Sequence, residues 1–144
     1  MIVLDNSALV EFLVGSDHLA EKVREAVDGE RIAVPYAIDL ECPSSLRGLV
    51  RDKKIHEDEA TRVLELLGRM RLRRFAHAPL LPHTWQLRHN VWPYDAAYVA
   101  LAESLSAELV TIDTRFAAAP GLSCTVQNLR TRRITAPPSP RPPS

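Results

Sequence analysis

No apolar run in this sequence approaches the roughly 20 residues that cross a bilayer, so no transmembrane helix is expected. No basic stretch precedes the first apolar residues, so the start does not read as a secretory signal, and a cytoplasmic location is expected. Cysteine is nearly absent. Cys42 and Cys124 are the only two, far apart and in small or apolar surroundings. With no CxxC and no zinc spacing, they read as buried, reduced thiols. The five histidines, His18, His56, His77, His83 and His89, have no spacing suited to a metal or a catalytic triad, and surface positions are expected for them. There is no internal repeat. Net charge is also lacking, but its absence hides an asymmetry. Residues 1–46 hold three Lys/Arg and nine Asp/Glu, and residues 47–144 hold 15 and nine. The first third therefore suits a cation, and the remainder suits a polyanion.

What is present belongs to one globular domain. The chain has 144 residues, 46% of them hydrophobic and 25% charged, enough to bury a core. Ile2–Asp5 reads as a short buried strand and Ser7–Val14 as a helix. His18–Val27 is amphipathic, with Leu19, Val23, Ala26 and Val27 on one face. Arg31–Val34 reads as a second strand. Pro35 suits the first turn of a helix running from about Tyr36 to Arg51, which Pro43 would kink or stop. Glu57–Met70 repeats Ala60, Val63, Leu64, Leu67 and Met70 at helical spacing. Leu72–Ala76 is a weak third strand, and Pro82–His89 reads as helical. Ala96–Leu105 is apolar nearly all round and therefore buried, with Asp95 at its start. Leu109–Asp113 and Cys124–Gln127 are the last strands. Strands alternating with helices imply an α/β fold with a mostly parallel sheet. Residues 131–144 form an Arg/Pro-rich tail, "APPSPRPPS" from Ala136 onward, with nothing to bury, and disorder is expected there.

Four acids stand out. Asp5 and Asp113 end two strands, and strand carboxyl ends share one edge of a parallel sheet, where ligands bind. Asp95 sits at a helix start, where a negative charge is favourable. Glu41 lies among Ala37, Ser44, Ser45 and Gly48, whose small size lets another group approach. Asp95 and Asp113 also suit capping, and Glu41 a solvated helix face. Asp5 is harder to dismiss, because a lone charge at a buried strand end costs free energy. Converging carboxylates repel unless a cation is present, and oxygen ligands suit Mg²⁺ or Mn²⁺ rather than zinc.

Four segments carry a resemblance. They are "IVLDNSALVEFL", "VPYAIDLECPSSLRGLV", "YDAAYVALAE" and "LVTIDTRFA". Over about residues 1–128 the chain resembles PIN-domain ribonucleases, most closely the VapC-type toxins of bacterial toxin–antitoxin pairs. The resemblance implies a three-layer α/β fold over residues 1–130, with a mostly parallel five-stranded sheet in order 3-2-1-4-5 and helices on both faces. It implies an acidic quartet, Asp5, Glu41, Asp95 and Asp113, that binds Mg²⁺ or Mn²⁺ and cleaves single-stranded or loop RNA. Ser7 and Thr111 would contact a metal-bound water or orient an acid. The partners implied are a cognate antitoxin, an RNA substrate and a second copy of the chain, with no membrane.

Pro43 departs from the pattern. It stands two residues after Glu41 where the family carries a helix former, so Glu41 is expected to sit off its usual place. The alternative function that follows is a catalytically weak or inactive PIN-like module binding RNA or protein. Haloacid-dehalogenase phosphatases also end their first strand in Asp, but they place a second acid two residues later, where this chain has Ser7. A receiver domain would need a phosphoacceptor Asp and a partnering Lys near a strand end, which are not found. Arg69, Arg71, Arg73, Arg74, Arg88 and Arg115 are the expected phosphate contacts, which makes RNA affinity salt-dependent.

Overall fold

The computed structural model describes residues 1–118 and 121–130. The tail from residue 131 lies outside them. Five parallel strands, β1 (Ile2–Leu4), β2 (Ile32–Pro35), β3 (Leu72–Phe75), β4 (Glu108–Thr111) and β5 (Val126–Asn128), form one sheet in order 3-2-1-4-5. The helices are α1 (Asn6–Val14), α2 (His18–Val27), α3 (Ile38–Arg51), α4 (Glu57–Arg69), α5 (Leu81–Gln86) and α6 (Pro93–Leu105). Among the described residues no helix is long and apolar enough to cross a membrane.

The sheet is buried on both faces, so its central strands are continuous apolar runs rather than alternating ones. Val3, Leu4, Leu109 and Val110 are fully enclosed, as are Leu9 of α1, Leu46 of α3 and Leu101 of α6. Each such side chain contributes roughly 1.5–3 kcal/mol. Cys42 and Cys124 are free, buried thiols, and burial pushes them up to about 11 and about 12. β1 lies between β2 and β4, with Leu4 paired to Val110. The residues just past Leu4 and Thr111 therefore emerge side by side on the carboxyl edge of the sheet.

Local boundaries follow local chemistry. Asp17 caps α2 by accepting from the Ala20 N–H at 3.0 Å. The turn after α2 needs the positive φ of Gly29, +71°. Glu57, Asp58 and Glu59 fill the first turn of α4, favourable for its dipole. Some expectations are corrected. Pro35 ends β2 instead of opening a helix; as a terminal strand residue its missing N–H breaks little of the ladder. α6 begins at Pro93, two residues before Asp95, because Pro with its fixed φ suits the first turn. Asp95 is thus inside the first turn and does not cap the helix. The helix expected over Pro82–His89 is a turn at Ala78–Leu80 followed by the short α5.

Pro43 lies inside α3, and the helix runs through it from Ile38 to Arg51. Arg74 is not a free phosphate contact. It grips Asp39, just ahead of Pro43, through Nε at 2.8 Å and Nη2 at 3.0 Å. His77 and His83 are half-buried and structural rather than surface groups. The Ala37 N–H donates to His77 Nε2 at 2.8 Å, and His83 bonds Glu103.

Candidate active site

The four predicted acids line one cavity of about 500 Å³ at the carboxyl edge of the sheet. Asp5 follows β1, Asp113 lies just beyond β4, Glu41 comes from α3 and Asp95 from the first turn of α6. Their fields overlap. Asp113 acts on Asp5 and Asp95, while Asp95 and Asp5 act on Glu41, each pushing its neighbour's pKa up.

Asp5 is the most enclosed, at 4% exposure. It caps α1 by accepting from the Ala8 N–H at 3.0 Å. The Ser7 hydroxyl donates to its two oxygens at 2.8 and 3.0 Å, and the Thr111 hydroxyl to Oδ2 at 2.8 Å. Thr111 Oγ1 in turn accepts from the Asp113 N–H at 2.9 Å, tying the two strand ends together. Burial outweighs these bonds and raises Asp5 to about 6. Glu41 is raised to about 7, first by burial and then by Asp95 and Asp5. Asp95 is also raised by burial, an effect opposed by Arg115. Asp113 is held below the ordinary carboxylate range by its bonds to Arg115.

Sequence reasoning missed two neighbours of the quartet. Tyr98, 1% exposed, donates its hydroxyl to Glu41 Oε1 at 3.2 Å from the turn of α6 after Asp95. The signal was its spacing: three residues from Asp95 places it on the same helix face. Arg115 was read as an RNA contact. Its guanidinium instead folds back into the cleft, with Nη2 2.6 Å from Asp113 Oδ2 and 3.7 Å from Asp95 Oδ2. Nε adds bonds to both Asp113 oxygens at 3.1 and 2.9 Å. A carboxylate two residues before an Arg makes this fork locally available.

The donor set fits a hard divalent cation. It is all oxygen, two of its acids are held far above their ordinary range by burial and mutual repulsion, and one cationic side chain already stands between two members. Among the described residues no three His, Cys, Asp or Glu groups yet stand together in ligating geometry. Arg115 occupies Asp113 and Asp95, and the four residues that would hold a divalent cation are Asp5, Glu41, Asp95 and Asp113.

Comparison with known proteins gives the family. A family model for the PIN domain matches residues 2–122. Ribonuclease VapC1 of Mycobacterium tuberculosis is 40% identical over 129 residues, covering 89% of this chain and 97% of that protein. Ribonuclease VapC9 of the same species is 36% identical over 115 residues, 80% and 87% of the two chains. Among solved structures, VapBC2 from Rickettsia felis, bound to a DNA fragment from its promoter, superposes with a TM-score of 0.63 at 18% identity, covering 89% and 98%. VapC20 of M. tuberculosis, a toxin that cleaves the sarcin–ricin loop, gives 0.64 at 15%, covering 85% and 97%. The chain belongs to the PIN-domain family and, within it, to the VapC ribonucleases.

Proposed function

We propose that this protein is an endoribonuclease dependent on Mg²⁺ or Mn²⁺, the toxin of a toxin–antitoxin pair, which hydrolyses phosphodiesters in single-stranded or loop RNA in the cytoplasm. The observation that carries this reading is the convergence of Asp5, Glu41, Asp95 and Asp113 on one cavity from four separate elements. Asp5, Glu41, Asp95 and Asp113 would hold the cation. When bound, the ion supplies a Lewis acid that polarises the phosphodiester and lowers the pKa of water. The protein's part is placement. Ser7, Thr111 and the Ala8 N–H fix the direction of Asp5, and Tyr98 fixes Glu41. Glu41, raised to about 7, releases its proton as the site fills, so loading favours higher pH. Arg115, which lines the cleft and now bonds Asp113, would be available to meet a phosphate once Asp113 holds the cation. Arg69, Arg71, Arg73 and Arg88 are exposed and supply further phosphate contacts.

Two protein partners belong to the reading. Several structural neighbours are toxin–antitoxin complexes, which supports a cognate antitoxin. The fit of the Arg115 fork against Asp113 supports an antitoxin Arg or Lys as inhibitor in the same cleft. Tyr36, Leu40, Leu81 and Tyr94 are exposed, which supports a homodimer through these apolar faces.

The test is incubation of purified protein with total RNA, with Mn²⁺ or with chelator, for wild type and Asp95→Asn. Discrete cuts that need both Mn²⁺ and Asp95 are expected. RNA binding without cuts would favour the non-catalytic module instead.

A further inference from the structure

The acidic cleft does not stop at its acids. Asp95 and Arg115 also line a smaller hollow of about 50 Å³, shared with Asn90 and Trp92. Asn90 and Trp92 in turn line a trough of about 320 Å³, together with Arg88 and His89. The trough thus adjoins the acidic cleft, with Asn90 and Trp92 lining both the trough and the hollow, and Asp95 and Arg115 lining both the hollow and the cleft. The trough falls in the size range of small-molecule sites, roughly 300–1,000 Å³.

We propose that Trp92 floors a nucleobase subsite that takes an unpaired base next to the bond to be cut. The proposal rests on the nuclease reading and names where that substrate's base would lie. Trp92 is 73% exposed, a large apolar surface left to solvent three residues from a candidate catalytic acid. It is not on a loose loop. Trp92 precedes Pro93, and a residue before proline is confined to extended backbone; its φ of −59° and ψ of 145° are of that kind. The indole is thus presented from a stiff hinge at the start of α6, which suits a stacking platform.

The surroundings match the rest of a nucleotide. The Asn90 side chain carries both donor and acceptor, as the edge of a base requires. Arg88 is held in place beside the trough, its guanidinium 4.5 Å from the Trp85 ring and its Nη1 donating to the Trp85 carbonyl at 2.9 Å. Arg115 stands where the hollow joins the acids. Phosphates flanking a base on Trp92 would meet a guanidinium on each side. A second copy of this chain is the competing occupant; the trough is lined by Val91, Trp92 and Pro93 but equally by Arg88, His89 and Asn90, and that polar, basic half favours a nucleotide.

The experiment uses the full chain and a fluorescent, mixed-sequence 2′-O-methyl dodecamer, which resists cleavage, in Mg²⁺. Binding is measured for wild type, Trp92→Phe and Trp92→Ala. The same dodecamer with all bases replaced by abasic ribose is the second probe. Stacking on an aromatic side chain is worth about tenfold in affinity. Trp92→Ala should bind the normal probe about tenfold more weakly, Trp92→Phe should keep most of the affinity, and both variants should bind the abasic probe like wild type. Equal binding of the normal probe by wild type and Trp92→Ala would overturn the subsite while leaving the nuclease reading intact, provided wild type still cuts RNA. A Trp92→Ala variant that turns a dimer into a monomer at the same concentration would assign this surface to a second copy, and also overturn it. Wild type that neither cuts RNA nor binds the dodecamer would sink the nuclease reading and the subsite with it.

Discussion

Replacing Asp5 with Asn should make the metal-free protein more stable, and only above a definite pH. The carboxyl group of Asp5 is raised from 3.8 to about 6, with burial as the largest cause. In the unfolded chain it ionises near 3.8; in the folded protein it resists until about 6. Between those values folding takes up a proton, so stability falls as pH rises through the window, then levels off. The full penalty is about 3 kcal/mol. The amide removes it but must reorganise its neighbours. Its oxygen can still accept from the Ala8 N–H and the Ser7 hydroxyl, while the Thr111 hydroxyl must turn to accept from the new NH₂ group. Allowing about 1 kcal/mol for the reversed bond leaves a net gain of roughly 2 kcal/mol. Urea denaturation in chelator, run from about pH 4 to about pH 8, checks this. The stability of Asp5→Asn minus that of wild type should rise across the window and then stay flat. Added Mg²⁺ should stabilise wild type by mass action and shrink the difference. A difference independent of pH, or one that falls as pH rises, would refute the idea that Asp5 is a buried charge awaiting a cation.

Four further outcomes follow from the same geometry. Calorimetry in buffers of different ionisation heat should find protons released on Mg²⁺ or Mn²⁺ binding, and affinity rising with pH up to about 7, where Glu41 ionises. Arg115→Gln removes the cation competing for Asp113 and Asp95, so titration should show metal binding several-fold tighter while the cleavage rate drops. Tyr98→Phe deletes one bond to Glu41; thermal unfolding should show a loss of about 1 kcal/mol, and metal titration a weaker site. Arg73→Ala should lower the salt slope of RNA binding by about one, whereas Arg74→Ala, which removes the partner of Asp39, should leave the slope alone and cost roughly 1 kcal/mol of stability.

The legible parts of this fold are those that depend on short spacing. Short continuous apolar runs and helical periodicity were enough to place five strands and the long helices, because a strand buried on both faces and an amphipathic helix each leave a local pattern. Asp5 and Asp113 could be put on one edge because parallel strands end along the same edge, whereas the adjacency of their strands came only with the family resemblance. The short α5 was not legible, since Pro82 and the turn at Ala78–Leu80 leave too few residues for a period. Nor were the fates of individual cations. Arg73 and Arg74 are adjacent and identical in type, yet one faces solvent beside the Phe75 ring and the other reaches Asp39, 35 residues back. Nothing within either residue's neighbourhood in sequence distinguishes them. Strand alternation sends them to opposite faces, and only the packing of α3 on that sheet says which face holds an acid.

Pro43 is where local and long-range reasoning meet. Its ring removes the helical bond to the Asp39 carbonyl and crowds that turn, a cost of about 3 kcal/mol in a straight helix interior. On local grounds Glu41, inside that turn, should drift. Yet α3 runs through, because the turn before Pro43 is held from outside the helix. Arg74 of β3 takes the Asp39 carboxylate with two charge-assisted bonds, and His77 accepts from the Ala37 N–H. The half-exposed Arg74–Asp39 pair contributes about 1 kcal/mol and the neutral bond to His77 about 1, which together offset part of what Pro43 takes away. Tyr98 then fixes Glu41 from α6. The position of this acid is therefore set by β3, the segment after it and α6, more than by its own helix. A proline at this place is tolerable beside a candidate metal ligand because Glu41 is held by contacts other than the hydrogen bond that the proline lacks.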